Sequence, residues 1–104
     1  MSRFQREVVL AVRALGPGDL ATYADIAEEI GHPGAGQAVA NVLRSATEVP
    51  WWRVVPADGR LYRSHARVQG PLLEAEGHFI DEHRRVQASA DPPRFGPTIS
   101  DERA

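Results

Sequence analysis

Proline and glycine cut this chain into short pieces, and that punctuation limits what it can fold into. Gly16-Pro17-Gly18, His32-Pro33-Gly34 and Pro50 divide the first half into segments of about a dozen residues. Proline cannot continue a helical hydrogen-bond ladder, and glycine admits the positive φ that ends one. Between these breaks the apolar residues repeat at helical spacing. Phe4, Val8, Val12 and Leu15 form one stripe, which predicts a helix from Ser2 through Ala14. Ser2 and Gln5 have the spacing of a capping box. Thr22 with Asp25 repeats that signal and predicts a short helix from Tyr23 to Ile30, closed by Gly31. A third helix is predicted from Ala35 to about Ala46, with Val39, Val42, Leu43 and Ala46 inward.

Two short helices joined by a tight glycine-containing turn read as a helix-turn-helix. The third helix begins among very small residues, Gly34, Ala35, Gly36 and Ala38. Two readings fit them: a backbone that approaches a DNA groove closely, or tight packing against another helix. Trp52 to Val55 reads as a strand, Asp58-Gly59 as a hairpin turn and Arg60 to Tyr62 as the return strand. Gly70-Pro71 is expected to start a last short helix carrying Leu72 and Leu73, stopped by Gly77. The predicted fold is mainly α with a short β-hairpin, a winged helix-turn-helix-like single domain over residues 1–87. Residues 88–104, with Pro92, Pro93 and Pro97 and few large apolar side chains, are expected to form a flexible tail.

Composition removes whole classes of chemistry. The 104 residues include no cysteine, so disulfides, thiolate metal ligands and cysteine nucleophiles are excluded. His32, His65, His78 and His83 form no familiar metal-binding pair; no metal and no cofactor are expected. No stretch approaches a membrane span and the N-terminus has no signal-peptide pattern, so a cytoplasmic, non-membrane monomer is expected. The net charge is −2, but it is unevenly spread. Residues 32–72 carry Arg44, Arg53, Arg60, Arg63 and Arg67 against Glu48 and Asp58, a local excess of positive charge. Such a patch suits phosphate contact. It is equally what arginines covering an ordinary surface look like.

Three ordered motifs carry a resemblance. They are Gly18-Asp19-Leu20-Ala21-Thr22-Tyr23-Ala24-Asp25-Ile26-Ala27, then Val49-Pro50-Trp51-Trp52-Arg53-Val54-Val55, then Asp58-Gly59 with Leu72-Leu73-Glu74-Ala75-Glu76-Gly77. Over about residues 4 to 80 the chain resembles the DNA-binding domain of O6-alkylguanine-DNA alkyltransferases. The resemblance sets Trp51 where the enzymes carry their reactive cysteine, and Trp52 where they carry the histidine that helps activate it. Glu76 matches the glutamate that orients that histidine. Tryptophan at the cysteine position is the mark of the alkyltransferase-like proteins, which recognise alkylated guanine without repairing it. An indole offers no comparable nucleophile, so the resemblance implies a protein that is not an enzyme.

What the resemblance implies for individual residues is specific. Tyr23 matches the tyrosine that presses on the phosphate beside the target nucleotide. Trp51 becomes an apolar wall of the pocket for an extruded base, and Trp52, next to it on a strand, is expected to face the other way. Pro50, Trp52, Arg53 and Val54 support the pocket. Gly34, Ala35 and Ala38 lie along the helix presented to DNA. Gln37 falls where the family usually places an arginine finger, which implies weaker flipping. Arg63, in the loop from Arg60 to Arg67, is the expected cation over the flipped base.

The expected function is therefore non-enzymatic recognition of O6-alkylguanine in duplex DNA, by minor-groove binding and nucleotide flipping. The expected partners are that DNA and nucleotide excision repair proteins to which the damage is flagged. A winged-helix regulatory module without lesion specificity is the alternative. A protein-interaction adaptor, suggested by the acidic C-terminal third, is the remaining one.

Overall fold

A computed structural model describes residues 1–87; the expected tail, residues 88–104, lies outside the described residues. Three helices form the first layer: α1 (Arg3–Arg13), α2 (Tyr23–Glu29) and α3 (Gly36–Ser45). Both predicted capping boxes are present. Ser2 Oγ accepts from Gln5 N at 3.1 Å, while Ser2 N donates to Gln5 Oε1 at 2.8 Å. Thr22 and Asp25 make the same reciprocal pair at 3.0 Å each way. Helix α2 closes as the sequence suggests: Gly31 has φ 84°, His32 N donates to Ala27 O at 2.8 Å and Gly31 N to Glu28 O at 3.1 Å. That paired arrangement satisfies two carbonyls the helix end would otherwise leave bare.

The three helices bury one core. Val8, Val12, Ile26, Val39 and Val54 are wholly inaccessible, and each such side chain contributes about 1.5–3 kcal/mol by leaving water. Gly36 permits the close approach of α3 to α2. A Cβ on it would lie 3.4 Å from the Ala24 nitrogen. For Gly36, then, small size serves helix packing. Gly34 is small for another reason: its φ of 88° suits glycine.

The second half departs from the expected hairpin. Val54–Val55 forms β2, but it pairs in parallel with β1 (Ala21–Thr22), in register Ala21 with Val54 and Thr22 with Val55. Both valines are buried, so they face the junction of two cores rather than a solvent-exposed wing. The turn at Asp58-Gly59 survives, closed by Gly59 N to Pro56 O at 2.8 Å. Its return segment instead meets residues 84–86: Leu61 N donates to Arg84 O, and Val86 N to Gly59 O. Burial of Leu61 against Leu73 and Val86 in a second apolar cluster accounts for that choice. The antiparallel hairpin of this fold is β3 (Phe79–Ile80) with β4 (Val86–Gln87).

The last helix is also longer than expected. α4 spans Arg63–Ala75 and carries Pro71 inside it. An interior proline costs about 3 kcal/mol in a helix, and the same helix buries Gln69, Gly70 and Leu73. Gly77 ends α4 as predicted, with φ 97°. No described helix is long and apolar enough to cross a membrane.

Candidate functional site

Trp51, Trp52 and Arg53 form a single 3-10 turn, so the strand expected from Trp52 begins only at Val54. Pro50, half-buried, precedes the turn and accepts from Arg53 N at 3.1 Å. The turn sets its two indoles edge to face, with centroids 6.2 Å apart and planes at 86°. Trp51 packs against the three-helix core and Trp52 against the second cluster. The two rings thus serve different cores while touching each other, an arrangement set by a tight helical turn and not by strand alternation.

Trp51 lines a cavity of about 230 Å³ between α2, α3 and the start of α4. Four aromatic rings shape it: Tyr23, Trp51, Tyr62 and His65. Tyr23 and Tyr62 stack at 6.0 Å with planes 22° apart. His65 meets Trp51 edge-on at 5.6 Å and Tyr62 at 5.7 Å. Ala40, Leu43 and Ala46 complete the apolar lining, and Arg44 adds a cation. A mostly apolar, aromatic-lined cavity with few polar groups suits an aromatic ligand about the size of one base.

Tyr23 is 8% exposed and its ring forms a wall. Burial pushes its phenol up to about 12, Tyr62 adds to the rise and the Arg44 charge opposes it. The hydroxyl therefore stays protonated, a donor, across ordinary pH.

Behind the cavity a polar knot holds the turn in place. Arg53 Nη2 lies 2.6 Å from Glu76 Oε2, and its Nε donates to the same carboxylate. Arg53 Nη1 donates to Leu15 O at 2.8 Å. The Arg53 guanidinium also sits 5.1 Å from the centre of the Trp52 ring. Trp52 Nε1 and Gly18 N donate to Glu76 at 3.0 and 3.2 Å. Glu76 thus has a full set of partners, one of them the Trp52 indole. Burial alone would raise its pKa; the hydrogen bonds from Arg53, Trp52 and Gly18 outweigh that and lower it to about 2. From α4, the buried Gln69 amide donates to Trp52 O at 3.0 Å and to Val54 O at 3.1 Å. Val54 itself is fully buried.

Tyr23 and Trp51, named from the sequence, meet at this cavity, with Pro50, Trp52, Arg53 and Val54 beside or behind it. The other named residues do not line it. Arg63 is exposed at the first residue of α4, and the cation on the cavity wall is Arg44. Gln37, Ala38 and Gly34 are exposed and Ala35 half-buried at the start of α3, whereas the cavity opens beside its later half. Tyr62, His65 and Arg44 were missed. The spacing of Tyr62 and His65 signals a shared helical face only once α4 is known to begin at Arg63.

Fold and site together define a small helical domain built around a helix-turn-helix, with an aromatic cavity behind its second helix. Residues 3–78 match the family described as 6-O-methylguanine DNA methyltransferase, DNA binding domain, and the chain belongs to that family. A DNA base-flipping protein of Vibrio parahaemolyticus is 30% identical over 92 residues, covering 83% of this chain and 91% of the relative. A methylated-DNA–protein-cysteine methyltransferase of Methanosarcina acetivorans is 37% identical over 81 residues. That match spans 73% of this chain but only 52% of the methyltransferase. Among solved structures, S. pombe Atl1 in complex with damaged DNA containing O6-carboxymethylguanine superposes with a TM-score of 0.72 at 24% identity. This pairing covers 88% of this chain and 98% of Atl1, and it is a likeness of fold. The Mycobacterium tuberculosis O6-methylguanine methyltransferase gives a TM-score of 0.65 at 34% identity, over 73% of this chain and 49% of that one. The present chain has no cysteine, so it lacks the residue type for which those methyltransferases are named.

Proposed function

We propose that this protein binds O6-alkylguanine in duplex DNA and holds the flipped nucleotide in the aromatic cavity without altering it. The observation that carries this reading is the cavity itself, walled by Trp51 beside Tyr23 in a chain without cysteine. On this reading Trp51 stands where the family's enzymes present their sulfur. An extruded base then meets an indole face, a contact worth about 1–3 kcal/mol, and no alkyl transfer follows. Flipping costs a few kcal/mol, least for a damaged base, which gives selectivity for lesions. The exposed Gln37, Ala38 and Gly34 at the start of α3 approach the minor groove, and Tyr23 lies beside the phosphate of the extruded nucleotide.

Two kinds of relative support the proposal: the Vibrio base-flipping protein and Atl1 with damaged DNA. Because nothing is repaired, the complex serves as a mark, read by nucleotide excision repair. A neutral Gln37 on the exposed face of α3 favours a second reading, a DNA-binding module without lesion preference.

A paired titration tests the choice. A duplex with one O6-methylguanine is compared with its undamaged twin across a salt series. Tighter binding to the lesion at every salt concentration supports the proposal. Equal affinities that fall together with salt would leave only backbone binding.

A further inference from the structure

We infer that Arg44 forms an anion subsite on the cavity wall, which makes the cavity favour base adducts ending in a carboxylate over neutral alkyl adducts. This rests on the proposed base-binding role of the cavity and names the class of lesion it prefers.

The other cavity walls are aromatic or aliphatic. Of the residues that line the cavity, Arg44 alone carries a permanent charge, and no carboxylate lines it. Arg44 makes no ion pair among the described residues. It is nonetheless held. Asn41 Oδ1 accepts from Arg44 Nη1 at 3.0 Å and from Gln37 Nε2 at 3.3 Å. The three side chains make a polar stripe along the exposed face of α3, at spacings of four and three residues. One guanidinium N–H is committed to Asn41, and the others have no described partner. The Arg44 charge also reaches into the cavity, since it acts on the Tyr23 phenol.

A guanidinium with free donors fits a carboxylate in two parallel, charge-assisted hydrogen bonds, and a neutral alkyl group offers it no acceptor. The aromatic walls take the purine and the alkyl linker. Arg44 takes the terminal charge. A neutral methyl adduct engages the rings only and leaves Arg44 in water.

An arginine at this place could also meet a DNA phosphate, and the two anions are separable by experiment. Duplexes of one sequence carrying O6-carboxymethylguanine, O6-methylguanine or guanine are titrated with the wild-type protein and with Arg44→Gln. The expected wild-type preference for carboxymethyl over methyl is about tenfold, the size of one charge-assisted hydrogen bond. Arg44→Gln should bring that ratio to one. Arg44 is exposed, so the variant should melt like the parent. A wild-type ratio of one overturns the inference and leaves the proposed function standing. An equal loss for all three duplexes in Arg44→Gln also overturns it, by making Arg44 a phosphate contact. Failure of the wild-type protein to prefer either lesion to guanine removes the proposed function, and this inference with it.

Discussion

Trp52 donates its indole N–H to Glu76 across 3.0 Å, so a tryptophan completes the hydrogen bonding of a largely buried carboxylate. Arg53 and the Gly18 N–H supply its other partners. One carboxylate thereby joins the 3-10 turn, the end of α4 and the loop after α1. A chain that presents Trp51 to a cavity needs this turn rigid, and Glu76 is what fixes it.

Acid should therefore unfold the protein through Glu76. Its folded pKa is lowered from 4.5 to about 2, because hydrogen bonds to the charged form outweigh burial. A depressed carboxylate contributes its full stability above 4.5 and loses it as pH falls towards 2. Urea melts at a series of pH values should show wild-type stability dropping through that window. Glu76→Gln should lose about 3 kcal/mol near neutrality, the cost of leaving Arg53 unpaired, and its curve should be flatter in acid. Parallel curves for the two proteins would discount the link.

Replacing Trp51 with alanine should weaken binding to O6-methylguanine duplex by about 1–3 kcal/mol, the worth of one base–aromatic contact. Binding to the undamaged duplex should stay the same. Trp51 also packs against the helical core, so Trp51→Phe is the companion variant, expected to retain most of the preference. Anisotropy titrations on folded protein decide the matter, and an equal loss on both duplexes would count against a pocket role.

Gln69→Leu should destabilise the fold by about 1–3 kcal/mol, because Trp52 O and Val54 O lose their amide donor in a buried place. Amide exchange should quicken first around residues 51–55. A variant as stable as wild type would mean that water replaces the amide.

Gln37→Arg should bind lesion duplex more tightly. Gln37 is exposed and held only through Asn41, so a longer, charged side chain meets no obstacle there. Unchanged or lower affinity would show that this position does not enter the base stack.

The first half of the fold was legible because its signals are local. Ser2 with Gln5, Thr22 with Asp25, and Gly31 each act within a few residues, and the helices they frame are where the periodicity put them. The second half was not. Val54-Val55 has the look of a hairpin strand, but its partner is Ala21-Thr22, more than thirty residues earlier. Pro71 signals a helix start by its own preference, yet α4 runs through it.

The candidate site divides along the same line. Tyr23 and Trp51 stand in motifs and were named from them. Arg44, Tyr62 and His65 carry no local mark. They share the cavity only because α3 and the start of α4 pack around the 3-10 turn.

Sequence alone determined that no cysteine chemistry is possible here, where the first helices begin and end, and which family the chain resembles. Each of those follows from residue type or from contacts a few positions apart. Tertiary structure decided which strand Val54 and Val55 join, that Glu76 keeps a full set of donors, and that Arg44 rather than Arg63 lines the cavity. Those outcomes depend on which distant surfaces exclude water together, and burial of that kind belongs to the assembled fold rather than to any segment of it.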